Sequence, residues 1–259
     1  MDISGKVAIV TGGAQGIGRA VTECLLKKGA RGVTITDVHE QKGQETVNEF
    51  SQQYDQKRVT FMYADVTLKS QMEDVFRQTK TTFGRVDILI CNAGICNEYE
   101  WERMVDINFA STIRNTYLAV EYMGTKNGGN GGVIIINSSL LGLIPNSIIP
   151  VYAAAKSGLV GFARSVAFEP MMSENAIRVA AICPGAVNTQ IRNSLITRYD
   201  EIMQELMKTE TSLEPYVIGD HVVTMIEDAK YNGCACVVTH DVPFSVVDPP
   251  EIVHSQCNS

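Results

Sequence analysis

Residues 6–18 read KVAIVTGGAQGIG, and this stretch decides the fold class of the chain. Residues 6–10 form a largely apolar run with β-branched side chains, which is typical of a strand buried on both faces of a sheet. A glycine-rich turn follows at once, and apolar residues then recur at helical spacing from Ala20 to Leu26. A strand, a glycine turn and a helix in this order are the setting that a dinucleotide-binding turn requires, whereas glycines alone could form a plain loop.

Three of the four glycines in this stretch have different predicted tasks. Gly12 allows the tight turn, Gly16 lets the main chain approach a pyrophosphate, and Gly18 lets the helix pack closely on the strand. The free N–H groups and the positive dipole end of the helix would face the phosphates. The sequence therefore predicts a dinucleotide site that contains these glycines together with Gln15 and Ile17.

Asp37 ends the second strand-like run, residues 32–36, and lies nineteen residues after Gly18. A carboxylate at this spacing can accept hydrogen bonds from the hydroxyls of a ribose, and it would repel the extra 2′-phosphate of NADP. Residues 38–40 contain no Arg or Lys that could offset this repulsion. The sequence therefore predicts NAD as the cofactor; the alternative is that Asp37 only opens a loop after a strand.

Five further strand-like runs alternate with segments long enough for crossover helices. These runs are residues 59–63, 86–90, 133–137, 177–182 and 236–239. With the first two runs they predict an α/β fold: a single Rossmann-type, doubly wound parallel sheet of about seven strands with helices on both faces. No Pro-rich or low-complexity linker interrupts the pattern, so residues 1–259 are predicted to form one domain.

Small and polar residues follow three of the predicted strands. Open parallel sheets bind their ligands at the carboxyl ends of strands, so this shared position predicts cofactor contacts, although each group alone would more often be a turn or a cap. The residues concerned are Asp65 and Val66, then Asn92, Ala93 and Gly94, and then Pro184, Gly185, Val187 and Thr189.

Tyr152 and Lys156 carry the predicted chemistry, with Ser139 thirteen residues before the tyrosine. Four residues are about one helical turn, so the phenol and the ammonium project from the same face. A neighbouring cation lowers the pKa of a phenol and can make tyrosine a base near neutral pH. Surface pairs with this spacing are common, and the nucleotide-binding context is what favours the catalytic interpretation.

Composition excludes several function classes. A net charge of −7 and a pI near 5.2 argue against a general nucleic-acid binder, and no apolar stretch approaches the length of a membrane span. Residues 1–5 lack the basic start and hydrophobic core of a secretory signal. The seven cysteines, including Cys257, are an odd number without zinc-type pairing, which predicts a cytosolic protein without a metal site. Cys234 and Cys236 could attract a metal, but a strand is the favoured interpretation.

The ordered motifs resemble the short-chain dehydrogenase/reductase family over nearly the whole chain. Within that family the chain is similar to NAD-dependent 15-hydroxyprostaglandin dehydrogenases and to insect relatives acting on alcohols or retinoids. The motifs are Thr11-Gly-x-x-x-Gly-x-Gly18, Asn92-Ala-Gly94, Asn108, Ser139, Tyr152-x-x-x-Lys156 and Pro184-Gly185; closer likeness lies in residues 5–8, 14–20, 127–129, 148–152 and 182–185.

The resemblance implies a role for each of four catalytic residues. Tyr152 would be the general base, and Lys156 would bind the nicotinamide ribose and lower the pKa of the tyrosine. Ser139 would donate a hydrogen bond to the substrate oxygen. Asn108 would hold a water that relays the proton outward, whereas without the family an ordinary helix-packing amide is the better interpretation. The resemblance also implies a homodimer that pairs through helices predicted over residues 102–123 and 152–169.

Residue Ile149 stands where the vertebrate prostaglandin enzymes of the resemblance carry a glutamine. An apolar wall that also includes Leu141, Ile144 and Ile148 favours a hydrophobic, lipid-like alcohol such as a retinoid or an isoprenoid. Alternatives are a retinol, farnesol or short-chain alcohol dehydrogenase of the insect type, and an NADP-linked carbonyl reductase. A cofactor-binding scaffold without turnover is the alternative from another class.

Residues 186–219 form a segment too long for a simple crossover. Within it apolar residues recur at helical spacing from Leu195 to Met207, which predicts an amphipathic helix. A helix packed on the body is the simple interpretation, and its acidic residues disfavour an anionic membrane. The resemblance implies a mobile substrate-binding lid, so Leu195, Tyr199 and Met203 are predicted to line the alcohol pocket together with Ser139, Leu141 and Ile149.

Overall fold

The glycine turn of residues 12–15 lies between strand β1, Val7–Thr11, and helix α1, Gly16–Lys27, as the sequence predicts. The computed structural model describes residues 1–249. The last ten residues of the predicted domain, which include Cys257, lie outside the described residues. Every residue of β1 is buried, which is the burial expected of a strand covered on both faces.

Within residues 1–249, eight strands form one sheet in the order β3-β2-β1-β4-β5-β6-β7-β8, and strands β1 to β7 are parallel. The chain winds from β1 outward to β3 and then returns to place β4 on the other side of β1, which is a doubly wound sheet. The strands after β1 are β2 (Gly32–Asp37), β3 (Val59–Tyr63), β4 (Ile88–Cys91), β5 (Gly132–Asn137), β6 (Ile177–Pro184), β7 (Ala235–Val238) and β8 (Ser245–Val247).

The predicted count of about seven strands omits β8. This strand has three residues, pairs antiparallel with β7 and lies mostly exposed at the edge of the sheet. A run of three residues is too short to show the alternation by which a strand is recognised in a sequence. Cys236 lies in the buried strand β7, and this confirms the strand interpretation of that segment.

Ten α-helices surround the sheet within residues 1–249. They are α1, α2 (Glu40–Tyr54), α3 (Lys69–Phe83), α4 (Trp101–Val105), α5 (Ser111–Met123), α6 (Pro150–Val166), α7 (Pro170–Glu174), α8 (Gln190–Asn193), α9 (Asp200–Thr209) and α10 (Pro215–Glu227). Helices α1, α2 and α10 pack into one hydrophobic cluster and α3, α5 and α6 into another, one on each face of the sheet.

Alternate strand residues supply the two clusters. In β1, Ala8 and Val10 point into the first cluster and Ile9 into the second, because successive strand side chains face opposite sides of a sheet. Each cluster contains a fully buried phenylalanine, Phe50 in the first cluster and Phe76 in the second. Burial of one such side chain contributes about 1.5–3 kcal/mol. The sheet is therefore a rigid support for residues at its carboxyl edge.

The two helices predicted over residues 102–123 and 152–169 are present with small differences. The first is continuous from α4 to α5 but contains one π-helical turn, Asp106–Ala110. Such turns insert one extra residue and occur often at functional sites. The second is α6, which begins at Pro150, a favoured first helical position because proline has no N–H to satisfy.

The lid segment, residues 186–219, is not the single helix predicted from Leu195. Residues 195–197 are not helical, because Ile196 donates its N–H to the Cys96 carbonyl (3.0 Å) and accepts from the Glu98 N–H (2.9 Å). The Asp200 carboxylate accepts from the Thr197 N–H at 3.1 Å and so marks the start of α9. Pairing with a distant segment overrides the helical spacing here. None of the helices in residues 1–249 is long and apolar enough to cross a membrane.

Candidate active site

A cleft of about 760 Å³ opens along the carboxyl edge of the sheet. Its walls come from the ends of six strands, β1 to β6, and from the lid segment. Apart from Gly18, every residue predicted from sequence to contact the cofactor lines this cleft. They are Gly12, Gln15, Gly16, Ile17, Asp37, Asp65, Val66, Asn92, Ala93, Gly94, Tyr152, Lys156, Pro184, Gly185, Val187 and Thr189.

The glycine turn is shaped as a cradle for a diphosphate. Gly12 has a φ of +62° and Gly16 a φ of +56°, a region that other residues rarely adopt. A Cβ on Gly18 would lie 2.3 Å from the Gly12 carbonyl oxygen, so only glycine lets α1 pack this closely against the turn. Helix α1 has no side-chain cap at its amino terminus, and its first N–H groups remain available to an anion. The turn therefore fits the phosphates of a dinucleotide.

Asp37 is held at the far end of this cleft and is almost fully buried. Its Oδ2 accepts from the Ala14 N–H at 3.2 Å, and its Oδ1 accepts from the His39 N–H at 3.0 Å. The His39 ring nitrogen Nδ1 lies 2.9 Å from the same Oδ1. A carboxylate has about four acceptor positions, so with these three contacts one position on Oδ2 remains for a ribose hydroxyl. His39 also lines the cleft, a contact that the sequence argument missed.

A chain of hydrogen bonds joins the glycine turn to Lys156. Asn92 Nδ2 donates to the carbonyls of Thr11 and Gly12, both at 3.0 Å, while its Oδ1 accepts from Asn137 Nδ2 at 2.9 Å. Lys156 Nζ donates to the Asn137 carbonyl at 2.8 Å. The Oδ1 of Asn137 is buried without a hydrogen-bond partner in residues 1–249, although the residue itself lines the cleft. Asn137 was not predicted, since a polar residue ending a strand has no distinctive sequence signal.

Ser139, Tyr152 and Lys156 meet in the centre of the cleft, as predicted. The tyrosine and the lysine lie on the first two turns of α6, and Lys156 Nζ is 5.5 Å from the centre of the Tyr152 ring. Ser139 follows β5 and caps a short 3₁₀ turn by accepting from the Leu141 N–H at 3.1 Å. A hydroxyl, a phenol and an ammonium thus face one space.

Burial is the largest influence on both titrating groups. It lowers the pKa of Lys156 to about 8, and it raises the pKa of Tyr152 well above its usual value, while the Ser139 hydroxyl acts in the opposite direction on the phenol. Removal from water raises the free energy of the charged form of each group, the Lys156 ammonium and the Tyr152 phenolate. Burial therefore dominates the pKa of Tyr152 in residues 1–249, and the lowering of that pKa by Lys156 stays a prediction.

Asn108 lies in the π-helical turn and does not line the cleft. Its Oδ1 accepts from the Ile95 N–H at 2.9 Å and its Nδ2 donates to the Ile95 carbonyl at 2.8 Å. Both ends of the amide are thus used to fix the segment after β4. This geometry fits the packing role, and the water relay at Asn108 stays a prediction.

The lid closes one end of the cleft with apolar side chains. Of the predicted substrate residues, Leu141, Ile149, Leu195 and Met203 line it along with Ser139, and Ile149 and Met203 share a small hydrophobic cluster with Cys96. Tyr199 does not line the cleft, and 49% of its surface is exposed. It precedes α9 instead of belonging to it, so the helical phase that predicted its direction does not apply.

Several residues at the apolar end of the cleft were not predicted from the sequence. Ile191, Leu206 and Met207 enlarge the apolar wall, and Arg103 and Arg192 lie at its rim. A helical pattern could have revealed Leu206 and Met207, which belong to the same apolar series as Met203.

Comparisons with known proteins agree with this geometry. Residues 6–200 match the family model described as short chain dehydrogenase. The human 15-hydroxyprostaglandin dehydrogenase [NAD(+)] is 41% identical over 247 residues, which is 92% of each chain. Alcohol dehydrogenase 1 of Ceratitis cosyra is 28% identical over 254 residues, covering 96% of this chain and 97% of the relative.

A solved structure shows the same fold. The crystal structure of a short chain dehydrogenase/reductase from Burkholderia phymatum in complex with NAD matches with a TM-score of 0.80 and 19% sequence identity. The match covers 92% of this chain and 90% of that chain. With the family match and the fold together, the chain is a member of the short-chain dehydrogenase/reductase family.

Proposed function

We propose that this protein is an NAD-dependent dehydrogenase that oxidises a hydrophobic, lipid-like alcohol to the corresponding carbonyl compound. One observation carries this proposal: Ser139, Tyr152 and Lys156 converge at the point where the polar dinucleotide end of the cleft meets the apolar lid. A proton acceptor, a hydrogen-bond donor and a cation at one position are what alcohol oxidation requires.

The choice of NAD rests on Asp37 and on the glycine turn. The turn and the amino terminus of α1 would hold the diphosphate, Asp37 the adenosine ribose and Lys156 the nicotinamide ribose. When bound, NAD⁺ supplies the acceptor for the hydride that leaves the alcohol carbon. The human relative carries NAD(+) in its name and the Burkholderia structure contains NAD, which supports the same cofactor here.

Three side chains of the protein then take part in the proton transfer. Tyr152 takes the hydroxyl proton as its Oη approaches the substrate oxygen, and Ser139 donates a hydrogen bond to that oxygen. The Lys156 ammonium stabilises the phenolate form of Tyr152. General-base catalysis of this kind is typically worth about 10²–10⁴-fold in rate. The NADP-linked reductase is disfavoured by Asp37, and a scaffold without turnover would have no use for all three groups.

The apolar end of the cleft indicates the class of alcohol. Ile149 offers no hydrogen bond to a polar substrate, and Leu141, Leu195 and Met203 continue the same surface. An apolar wall discriminates weakly between similar hydrophobic groups, so a range of lipid alcohols should be accepted. This surface also favours the second candidate, an insect-type retinol or farnesol dehydrogenase, over one acting on short-chain alcohols.

A substrate panel tests the proposed function. Prostaglandins, retinol, farnesol and short alcohols would be incubated with the protein and NAD⁺, and NADH formation followed by its fluorescence. We expect higher kcat/KM for the long apolar alcohols than for short ones. Equal kcat/KM across the panel would remove the lipid preference, and absence of NADH with every alcohol would contradict the function itself.

We predict that the lid becomes more ordered when both ligands are present. Leu195 and Met203 face the cleft, while Ile202 and Leu206 are about half exposed, so closure would bury more apolar surface and exclude water. Amide hydrogen exchange of residues 190–210 should slow in the ternary complex with NAD⁺ and a competitive alcohol analogue, while exchange in α2 remains the internal reference. Equal exchange of residues 190–210 in the free and ternary states would reject a lid.

We predict a homodimer that uses the outer face of α5 and α6. Tyr117 and Phe162 form an edge-to-face aromatic pair there, with ring centres 6.2 Å apart, and Phe168 just beyond α6 is 71% exposed. Exposed apolar patches of this kind mark interaction surfaces. Light scattering at micromolar concentration should give roughly twice the chain mass of 28.3 kDa. A species at the mass of one chain would contradict the dimer.

A cytosolic location is part of the same proposal. It is supported by the six cysteines of residues 1–249, which are all free thiols and five of which are buried. The net charge of −7 disfavours nucleic acid as a partner and leaves a small hydrophobic molecule as the expected ligand.

A further inference from the structure

Glu98 is a charged residue that is only 1% exposed, and neither the sequence motifs nor the proposed chemistry gives it a task. Its Oε1 accepts from the Tyr152 N–H at 2.9 Å and its Oε2 accepts from the Val151 N–H at 3.3 Å. Within residues 1–249 its hydrogen-bond partners are thus the first N–H groups of the catalytic helix. A buried carboxylate is costly unless it is hydrogen-bonded, so these two contacts explain how it is tolerated.

The start of α6 depends on this carboxylate because its own sequence provides no cap. Ile149 occupies the capping position with an apolar side chain, and Pro150 has no N–H. The Ala153 N–H is already bonded to the Ile149 carbonyl at 3.0 Å. The remaining free donors of the first turn are those of Val151 and Tyr152, and Glu98 takes both. A residue 54 positions away in sequence therefore completes the helix that carries Tyr152.

The segment around Glu98 also fixes the base of the lid. The Glu98 N–H donates to the Ile196 carbonyl at 2.9 Å, and the Thr197 hydroxyl donates to the Ile148 carbonyl at 2.6 Å. Three parts of the chain meet here: the segment after β4, the start of α6 and the lid base. Reacting groups lose rate steeply when displaced, about 10²-fold for 1 Å.

We propose that Glu98 is a positioning residue for the reaction: its carboxylate holds the first turn of α6 so that the Tyr152 side chain stays aligned with the substrate oxygen. The inference rests on the proposed function, because it takes Tyr152 as the base. Its structural part, the fixing of two main-chain N–H groups, can be measured without turnover.

Two substitutions separate positioning from general stability. Glu98→Ala removes both acceptors, whereas Glu98→Gln keeps the side-chain length and one acceptor. Glu45→Ala, at an exposed glutamate on α2, is the matched control. We expect faster amide exchange at Val151 and Tyr152 and a kcat lowered at least about 10-fold in Glu98→Ala. The dissociation constant of NADH, measured by fluorescence, should change less than about threefold, because the glycine turn and Asp37 lie on other elements and Lys156 lies one turn beyond the N–H groups that Glu98 holds.

The glutamine variant gives the more specific readout. We expect it to have a kcat between those of the wild type and the alanine variant, roughly three- to tenfold below the wild type, since one of two acceptors remains. The solvent deuterium isotope effect on kcat should increase in both variants, because misalignment slows proton transfer more than other steps. A role limited to stability would leave the isotope effect unchanged.

Several results would overturn the inference. Wild-type kcat in Glu98→Gln, or unchanged exchange at Val151 and Tyr152 in a folded Glu98→Ala, would do so, as would parallel losses of kcat and NADH affinity. If Glu98→Ala does not fold, the kcat and isotope effect of Glu98→Gln decide. A wild-type protein that forms no NADH from any alcohol would count against the proposed function instead, and the exchange measurement would still test the hydrogen bonds.

Discussion

Replacement of Tyr152 by phenylalanine is expected to lower kcat by about 10²–10⁴-fold while the affinity for NAD⁺ stays nearly constant. The substitution removes the phenolic oxygen, which is the proposed proton acceptor, and leaves the ring that packs beside Lys156. Catalytic groups that act as a unit are non-additive, so adding Ser139→Ala should cost little more. Single-turnover kinetics and calorimetry with NAD⁺ provide the two measurements.

Tyr54→Phe is the matched control, because it makes the same chemical change on α2, away from the cleft. Wild-type oxidation should accelerate as the pH rises, since burial raises the pKa of Tyr152 and the proton-accepting form becomes more populated at higher pH. The residual rate of Tyr152→Phe should lose that dependence. An unchanged kcat in the phenylalanine variant would exclude Tyr152 as the base.

Replacement of Asp37 by alanine is expected to remove the preference for NAD⁺ over NADP⁺. Hydrogen bonds to a charged group contribute about 1.5–3 kcal/mol, so NAD⁺ binding should weaken by about 10- to 150-fold. NADP⁺ binding should strengthen at the same time, because the 2′-phosphate no longer meets a carboxylate. His39, which lies 2.9 Å from Asp37, would then be free to approach the phosphate.

Calorimetric titration with both cofactors measures this change. Asp241→Ala is the matched control, since Asp241 and His240 form a similar pair, 3.0 Å apart, on an exposed turn. That variant should bind both cofactors as the unmodified protein does. If the unmodified protein bound NADP⁺ at least as tightly as NAD⁺, the assignment of Asp37 to the ribose would be wrong.

Local sequence patterns were sufficient to predict most of the fold. The first strand and its glycine turn are specified by neighbouring residues, because an apolar β-branched run and glycines with positive φ act within a few positions. The strand β8 is different, since its three residues are ordered by pairing with β7 rather than by their own sequence. Residues 195–197 likewise follow a helical pattern but are not helical, because the main-chain bonds of Ile196 to Cys96 and Glu98 decide their conformation.

The residues of the candidate site also divide into those predictable from local sequence and those placed by tertiary contacts. Tyr152 and Lys156 could be placed together from their spacing alone, and the glycine turn from its motif. Glu98 and Asn137 could not, because each acts through a partner brought near by the tertiary structure. His39 contacts Asp37 only two residues away, but a histidine after a strand carries no distinctive sequence signal. The helix boundary that removes Tyr199 from the cleft is also a tertiary effect.

Transfer of a labelled hydride tests the central claim most directly. The protein would be incubated with NAD⁺ and an apolar alcohol that carries deuterium on its carbinol carbon, and the reduced cofactor analysed by mass spectrometry. We predict NADH that contains one deuterium, formed in equal amount to the carbonyl product, and at least about 10²-fold slower formation with Tyr152→Phe. No reduced cofactor with any alcohol of the panel, or NADH without deuterium, would contradict the account.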